Sequence, residues 1–303
     1  MKPSIEKPSL AIFTNFLIDN DERLQRMKDS FYSFKDIKAK EWVINIRGSL
    51  KHKAGNFLRK ELGEKLNLFY LKSIEGWMHD SLIISKKINS DYVLYWIEDH
   101  ILITSPDDLK NCIIEMREFN VDQFWYSFFT NKIRKNFSIV EPYRLGKYIK
   151  VIKLDSKNCS KMRSLSGEFY TVSSASIMRK DYFMKILSSH KPYLKRYHKD
   201  LPFNFEKASK DNIFPVIWHS IPNYEQFVPI DDNRGEPGYC LISRGLYPNR
   251  ISRLELKRSE SYGFSERRIK LEKIIPKILR APLIPVLFFI SRVYNTINFY
   301  WNK

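Results

Sequence analysis

The sequence predicts an α/β fold in which a mixed, mostly parallel sheet is flanked by helices. Apolar segments of strand length alternate with amphipathic helical segments about four times in the first half of the chain. Each helical segment is long enough to carry the chain back across a sheet, so consecutive strands are expected to run in the same direction. Hydrophobic residues make up 43% of the 303 residues, which is enough to bury a sizeable core.

The first two strand–helix units follow one another directly. A strand is predicted over residues 9–18 and a helix over 19–37, where Asp19 and Glu22 have the spacing of a capping box. A second strand is predicted over 41–48 and a second helix over 53–66. Apolar residues recur at helical spacing in both helical segments, and the strands are almost continuously apolar, as expected for a buried sheet.

The pattern then continues with a strand over 67–73, a helix over 77–88 and a strand over 91–97. The next helix has a clear start, because Ser105 can cap it and Pro106 suits its first turn. The second half is less regular. A strand is predicted over 148–154, and a strand is predicted to enter a helix near 179–187.

Glu98, Asp99 and His100 form a titratable cluster directly after the strand over 91–97. Ligands of open parallel sheets bind outside the carboxyl ends of the strands, so this cluster is a candidate ligand site. The alternative is an ordinary solvated strand end, where charged residues are common.

Composition excludes several classes of protein. The chain has 10 glycines and neither of the glycine-rich phosphate-binding motifs. Its three cysteines are far apart in sequence, which fits reduced cytosolic thiols better than a disulfide framework or a zinc site. The first residues lack the pattern of a signal peptide, and no apolar stretch reaches the roughly 20 residues of a spanning helix.

The net charge of +18 is concentrated towards the end of the chain. From Arg244 to Lys303 there are 13 Lys and Arg residues against 4 Asp and Glu residues, a net charge of +9. This balance favours a polyanionic partner, which could be a nucleic acid, an anionic membrane surface or a phosphorylated substrate.

The order of elements, together with the segments DYVLYWIEDH, SGEFYTVSSASIMRKDYF and LPFNFEKAS, resembles inverting, family 2-like nucleotide-sugar glycosyltransferases of the GT-A fold. Such enzymes occur in the synthesis of bacterial surface polysaccharides such as lipopolysaccharide or capsule. The resemblance covers roughly residues 9–245. It implies a GT-A-like, Rossmann-type catalytic domain over 1–245, followed by a basic and apolar helical tail over 246–303.

In that family the acidic motif after the fourth strand holds a divalent metal on the diphosphate of the donor. The resemblance therefore implies Mn²⁺ or Mg²⁺ at Glu98, Asp99 and His100, with Asp99 also contacting the donor. Carboxylate oxygens suit either ion, and an imidazole suits Mn²⁺ better. The family's D-x-D motif itself is absent here. The alternative is that basic residues neutralise the diphosphate without a metal.

The other two segments imply the acceptor site and the catalytic base. Ser174, Ser176 and Arg179 occupy positions that resemble the acceptor site, although a packed strand of small residues would have the same sequence. Glu206 resembles the general base that deprotonates the acceptor hydroxyl, with Asp211 as the second candidate. A solvated glutamate in an amphipathic segment is the alternative for Glu206.

The resemblance also implies a set of donor-binding residues beyond Asp99. They lie at the ends of the first two strands (Thr14, Asn15, Asn45 and Arg47) and in a polar loop near residue 235 (Arg234 and Arg244), and His219, in the segment VIWHSI, could reach the same region. Arginine offers paired donors to phosphate oxygens. His219 has the alternative of a core histidine beside Trp218.

The tail alternates basic and apolar residues and ends in aromatic residues, a pattern typical of helices that lie in a membrane interface. We therefore expect a cytoplasmic glycosyltransferase, peripheral at the inner face of the cytoplasmic membrane, that transfers a sugar from a nucleotide sugar to a glycan or lipid-linked acceptor. A tail docked on the domain or on a second subunit is the alternative. Two other classes stay open: a basic nucleic-acid-binding protein, for which no binding module is visible, and a GT-A-like assembly partner without turnover.

Overall fold

A computed structural model describes residues 7–127, 137, 140–166, 171–189, 206, 217–231 and 238–250. Eleven strands lie in these ranges: β1 Leu10–Leu17, β2 Glu41–Arg47, β3 Leu66–Phe69, β4 Tyr92–Tyr95, β5 His100–Leu102, β6 Gln123–Trp125, β7 Arg144–Leu145, β8 Ile149–Leu154, β9 Ser176–Arg179, β10 Ile217–Pro222 and β11 Phe227–Pro229. The helices of these ranges are α1 Asp21–Phe34, α2 Lys51–Leu62, α3 Trp77–Ser85, α4 Pro106–Glu118, α5 Ser156–Ser166 and α6 Lys180–Leu187.

Nine strands form one sheet in the order β3-β2-β1-β4-β9-β6-β10-β8-β7. The first four strands of this order are parallel to one another, and β10 is parallel to β6. The antiparallel pairs involve β9 and β8 only, so seven of these nine strands run in the same direction. The predicted fold class, an α/β fold with a mostly parallel sheet flanked by helices, is confirmed.

Helices cover both faces of the sheet. Since successive side chains of a strand point to opposite faces, each strand contributes apolar side chains to both helical layers. On one face Phe13 of β1 packs against Phe183 of α6, with ring centroids 4.9 Å apart. On the other face Phe16 packs against Trp96 at 4.7 Å, and Phe31 of α1 lies on the same tryptophan. The almost continuously apolar strands of the sequence are therefore buried on both sides.

The helix starts follow capping chemistry. Ser105 caps α4, since its side chain accepts a hydrogen bond from the backbone N–H of Asp108, as predicted. The predicted cap of α1 was one residue too early. Asn20, not Asp19, has the extended backbone of a cap, and its side chain accepts from the N–H of Arg23 at 2.9 Å. Asn is as good a cap as Asp, so the two neighbours could not be separated by residue type.

The predicted strand over 91–97 ends at Tyr95, and a new strand begins at His100. The strand β5 leaves the large sheet and pairs with β11 in a separate two-stranded sheet. The backbone N–H of Ile230 also donates to the carbonyl of Asp99 at 2.7 Å, which fixes the turn between the two strands. The partner of this turn lies about 130 residues further along the chain, beyond the reach of local pattern analysis.

Among the helices of the described ranges, none combines the length and apolar character needed to cross a membrane. Of the predicted tail over 246–303, the residues from 251 onwards lie outside the described residues, so its helical character stays a prediction.

Candidate active site

Polar side chains interrupt the apolar strands β1 and β2 close to their carboxyl ends. Asn15, Asn45 and Arg47 are all at least 95% buried. Asn15 and Asn45 are direct neighbours in the parallel register of the two strands. Because the carboxyl ends of parallel strands lie on one edge of the sheet, these side chains form one cluster, and their role in donor binding stays a prediction.

Hydrogen bonds fix the orientation of Asn15 on every side. Its Oδ1 atom accepts from Asn45 Nδ2 at 2.9 Å and from Arg47 Nε at 3.1 Å. Its Nδ2 atom donates to Ser81 Oγ of α3 at 3.0 Å. A buried amide with its donors and acceptor satisfied is held in one rotamer, so it fixes the positions of the neighbouring polar side chains.

The cluster also anchors the segment that follows β3. Asn45 accepts from the backbone N–H of Leu71 at 2.7 Å and donates to the carbonyl of the same residue at 3.0 Å. The indole Nε1 of Trp77 donates to the carbonyl of Asn15 at 3.2 Å. Leu71, Trp77 and Ser81 were missed in the sequence. Trp77 and Ser81 are four residues apart and share one helix face, but that spacing alone does not indicate a site.

Glu98, Asp99 and His100 lie at the same edge, beyond the carboxyl end of β4. Nδ1 of His100 is 2.7 Å from Oδ1 of Asp99, and the His100 side chain is only 9% exposed. The carbonyl of His100 accepts from Ser30 Oγ of α1 at 2.5 Å. The cluster is therefore packed against α1 and is not a freely solvated strand end.

Two arginines of α1 lie close to the carboxylates of Glu98 and Asp99. Arg23 lies 3.9 Å from a carboxylate oxygen of Glu98. Arg26 is 1% exposed, is paired with Glu22 at 2.9 Å and Asp231 at 2.6 Å, and is also close enough to Asp99 to interact with its charge. Within the described ranges no three His, Cys, Asp or Glu side chains are grouped so as to hold a metal. Glu98, Asp99 and His100 therefore do not fit a three-ligand metal site in this arrangement, because guanidinium groups face the carboxylates.

Glu206 is held by the two serines that precede β9. Its Oε1 atom accepts from the backbone N–H of Ser174 at 2.6 Å, from Ser174 Oγ at 2.8 Å and from Ser173 Oγ at 3.0 Å. Because β9 runs antiparallel between β4 and β6, its amino end lies at the carboxyl ends of those strands. Glu206 therefore reaches the same edge of the sheet as Glu98, Asp99 and His100.

The surroundings of Glu206 make it a strong proton acceptor for a carboxylate. Burial raises the pKa of Glu206, while the hydrogen bonds from Ser174 and Ser173 and the charge of His100 act in the opposite direction. Tyr95 and Tyr126 also interact electrostatically with Glu206, and the hydroxyl of Tyr126 donates to the carbonyl of Tyr95 at 2.6 Å. A buried carboxylate with a raised pKa beside an imidazole is a typical setting for a general base.

Of the three residues predicted for the acceptor site, Ser174 and Ser176 lie together at the start of β9, whereas Arg179 lies at its other end. Ser174 binds the carboxylate of Glu206, and Ser176 Oγ donates to the carbonyl of Ser173 at 2.5 Å. Arg179 pairs in register with Tyr92 at the amino end of β4, and it binds Asp122 at 2.8 Å and Asp181 at 2.6 Å. Arg179 thus lies at the opposite edge of the sheet from Glu206, because Arg179 ends β9 whereas Glu206 binds the residues just before its start.

Three predicted donor residues have other surroundings. His219 of β10 is completely buried against Trp125 and Phe137, as the core alternative required. Arg244 is bound by the carboxylate of Glu225 through two hydrogen bonds of 2.9 and 3.1 Å. Thr14 is buried in the middle of β1. Neither His219 nor Arg244 belongs to the cluster at Asn15. Asp211 and Arg234 lie outside the described residues.

Neither a protein-family model nor a curated protein matches this chain. Solved structures of TarS from S. aureus are similar to it. TarS 1–349 matches 72% of this chain at 13% identity with a TM-score of 0.46, and a complex of TarS 1–349 with UDP matches the same share at 13% and 0.42. A longer TarS structure matches 72% of this chain at 14% identity with a TM-score of 0.45. This chain covers 59% of TarS 1–349 and 36% of the longer structure.

Proposed function

We propose that this protein is a glycosyltransferase that moves a sugar from a nucleotide-sugar donor to a hydroxyl group of a glycan or lipid-linked acceptor. The observation that carries the proposal is Glu206, a buried carboxylate with a raised pKa at the edge of the sheet where β4 and β6 end. Asn15, Asn45 and Arg47 lie at the same edge and form a rigid polar cluster suited to a polar ligand.

In this proposal Glu206 removes the proton of the acceptor hydroxyl as the oxygen attacks the anomeric carbon of the donor. Ser173 and Ser174 keep the carboxylate in one orientation, which is what a base needs if it is to meet the hydroxyl in line. The bond to the nucleotide diphosphate breaks on the opposite side of the anomeric carbon. A single displacement of this kind inverts the configuration of the sugar.

The charge of the departing diphosphate needs a nearby cation. Arg47 is the cation in the cluster with Asn15 and Asn45, and its Nε atom donates to Asn15. A guanidinium group can bind two phosphate oxygens at once. We propose that arginine supplies this charge, since the described residues contain no group of three metal-ligating side chains and Arg23 lies 3.9 Å from Glu98. Asp99 would hold His100 beside the carboxylate of Glu206.

We propose surface-polysaccharide synthesis as the setting, at the cytoplasmic face of the membrane. The basic and apolar tail suits an anionic membrane surface, where a lipid-linked acceptor would lie. A nucleic-acid partner is not expected, because residues 246–303, with 12 Lys and Arg against 4 Asp and Glu, carry +8 of the net charge of +18.

The test is a screen of UDP-, GDP-, CDP- and CMP-sugars for release of the free nucleotide, with and without Mn²⁺ or Mg²⁺. The proposal predicts release from one class of donor, and loss of transfer to acceptor in the Glu206→Gln variant. Glu64→Gln is the matched control, because Glu64 is an exposed carboxylate on the turn after α2.

Absence of binding and turnover with every donor, with and without metal, would contradict the proposal and favour a non-catalytic assembly partner. If Glu206→Gln retains full transfer while a donor is still turned over, the class is right and the assignment of the base is wrong.

A further inference from the structure

The far edge of the large sheet is a β-hairpin that the proposed reaction does not use. It consists of residues 143–154: β7, a turn at Gly146, and β8. We call it the edge hairpin. Strand β7 is fully exposed, and it is the last strand in the order of the sheet, at the opposite end from β3. Exposed edge strands need charge or a partner to prevent association, so the surface of this hairpin requires an explanation.

The turn of the edge hairpin is held rigidly by a carboxylate of α4. Glu115 accepts hydrogen bonds from the backbone N–H groups of Lys147, Tyr148 and Ile149 at 2.8 to 2.9 Å. A side chain on Gly146 would clash with the same carboxylate, so the turn fits closely against α4. Three backbone donors on one carboxylate fix the turn before any partner arrives.

This rigid turn presents apolar and aromatic side chains to solvent. Leu145 is 70% exposed and Tyr143 is 59% exposed. The ring of Tyr143 packs on Trp218 with centroids 4.4 Å apart, and this contact restricts the orientation of the exposed tyrosine. A single exposed apolar residue is ordinary, but here an exposed leucine lies two residues after a tyrosine that packs on a tryptophan, so the hairpin offers several apolar groups together.

The same surface is strongly basic. Arg144, Lys147 and Lys153 are exposed, and Glu141 is the acidic residue in the range 141–154. The guanidinium of Arg144 lies 5.6 Å from the ring of Tyr143, and the ammonium of Lys153 lies 5.9 Å from the ring of Trp218. Glu115 keeps its negative charge while it accepts from the turn, so it offsets part of the positive charge of Arg144, Lys147 and Lys153.

We propose that the edge hairpin docks on an anionic lipid surface, with Leu145 inserted below the headgroups and the cations against the lipid phosphates. Basic side chains are attracted to anionic headgroups, and tyrosine and tryptophan favour the boundary between headgroups and acyl chains. Burial of an exposed leucine in that boundary is favourable because its apolar surface leaves water. A hydrated polyanion has no apolar layer in which the leucine could be buried. This docking element is separate from the predicted tail and does not depend on the proposed reaction.

The test places an environment-sensitive fluorophore at the turn of the full chain, as Leu145→Cys. The native thiols Cys112, Cys159 and Cys240 are all buried, so labelling is directed to the new site. Ile74→Cys is the control, because Ile74 is an exposed aliphatic residue (86%) that follows β3, at the opposite end of the sheet order from β7. The proposal predicts blue-shifted, brighter emission at position 145 with phosphatidylglycerol-containing vesicles, and no change at position 74 or with phosphatidylcholine alone.

A second experiment measures vesicle binding of the unlabelled chain by co-sedimentation. We expect Leu145→Glu and Lys147→Glu each to weaken binding about fivefold or more, and Ile74→Glu to leave it within twofold. Circular dichroism confirms that each variant is folded.

Two outcomes would overturn the proposal. An unchanged fluorophore at position 145 while the chain still co-sediments would assign membrane binding to another segment. A response at position 145 to dextran sulfate but not to vesicles would assign the edge hairpin to a soluble anionic glycan.

Discussion

The Oε1 atom of Glu206 lies 2.6 Å from the backbone nitrogen of Ser174, which donates to it at the edge of the sheet where β4 and β6 end. This contact joins a residue from late in the chain to the start of β9. It brings the carboxylate of Glu206 close to His100, a proximity that the sequence spacing of these residues does not predict. The protonation of this one group governs the first two of the predictions that follow.

The acid limb of the pH–rate profile should respond to Ser174→Ala. Glu206 acts as a base only when ionised, and burial places its pKa above the ordinary value near 4.5. Removing the Ser174 hydroxyl removes a hydrogen bond that lowers this pKa. We expect the limb to move up by about 0.7 pH unit, equivalent to about 1 kcal/mol. Ser164→Ala, an exposed serine, is the control. A limb that stays fixed or moves to lower pH would contradict the assignment.

The thermal stability of Glu206→Gln should exceed that of the wild type at neutral pH but not at acidic pH. A carboxyl group with a raised pKa in the folded state binds its proton more tightly there than in the unfolded chain. Its contribution to stability is therefore present below the unfolded pKa and is lost as the pH rises through the folded pKa. Glutamine does not titrate, so the difference in Tm should grow as the pH rises from about 4 to about 7. A difference independent of pH, as expected for Glu64→Gln, would contradict the raised pKa.

Replacement of Asn45 should affect both stability and donor binding. Asn45→Ala removes the hydrogen bonds to Asn15 and to both backbone groups of Leu71. Leaving these buried groups unpaired should lower the free energy of unfolding by about 2–4 kcal/mol. Nucleotide diphosphate affinity, measured by calorimetry below the transition temperature, should fall about tenfold because Asn15 loses its fixed orientation.

Asn56→Ala is the control for this variant, because Asn56 is an exposed amide on α2. Unchanged nucleotide affinity in a folded Asn45→Ala protein would show that the cluster has a structural role only.

Acid sensitivity of the fold should depend on His219. Burial lowers the pKa of His219 to about 3 from its ordinary value near 6.5. A group whose pKa is depressed on folding costs stability as the pH falls below the unfolded value, by about 1.4 kcal/mol per pH unit. His219→Phe, which keeps a ring beside Trp125 and Phe137, should flatten the loss of stability between pH 6.5 and 4.5. His79→Gln, an exposed histidine, should leave the slope unchanged, and an unchanged slope in His219→Phe would contradict the shift.

The local periodicity of the chain predicted most of the sheet. Strand β2 falls within one residue of its predicted end, and α4 begins at the predicted cap Ser105. These elements are set by apolar spacing and capping chemistry, both of which act over a few residues. Strand β6 is not predicted from the sequence, because three residues are too few to show an alternating pattern. It forms through its pairing with β9 and β10.

By itself, the sequence determined the fold class, because alternating strands and helices leave few topologies. Only the tertiary structure decided which polar residues meet at the edge of the sheet where β4 and β6 end. It joined Glu206 to Ser174 and placed Arg26 beside Asp99, whereas it carried Arg179 to the opposite edge and His219 into the core. The physical reason is that each of these positions depends on a strand direction or a distant contact, neither of which is encoded in the spacing of neighbouring residues.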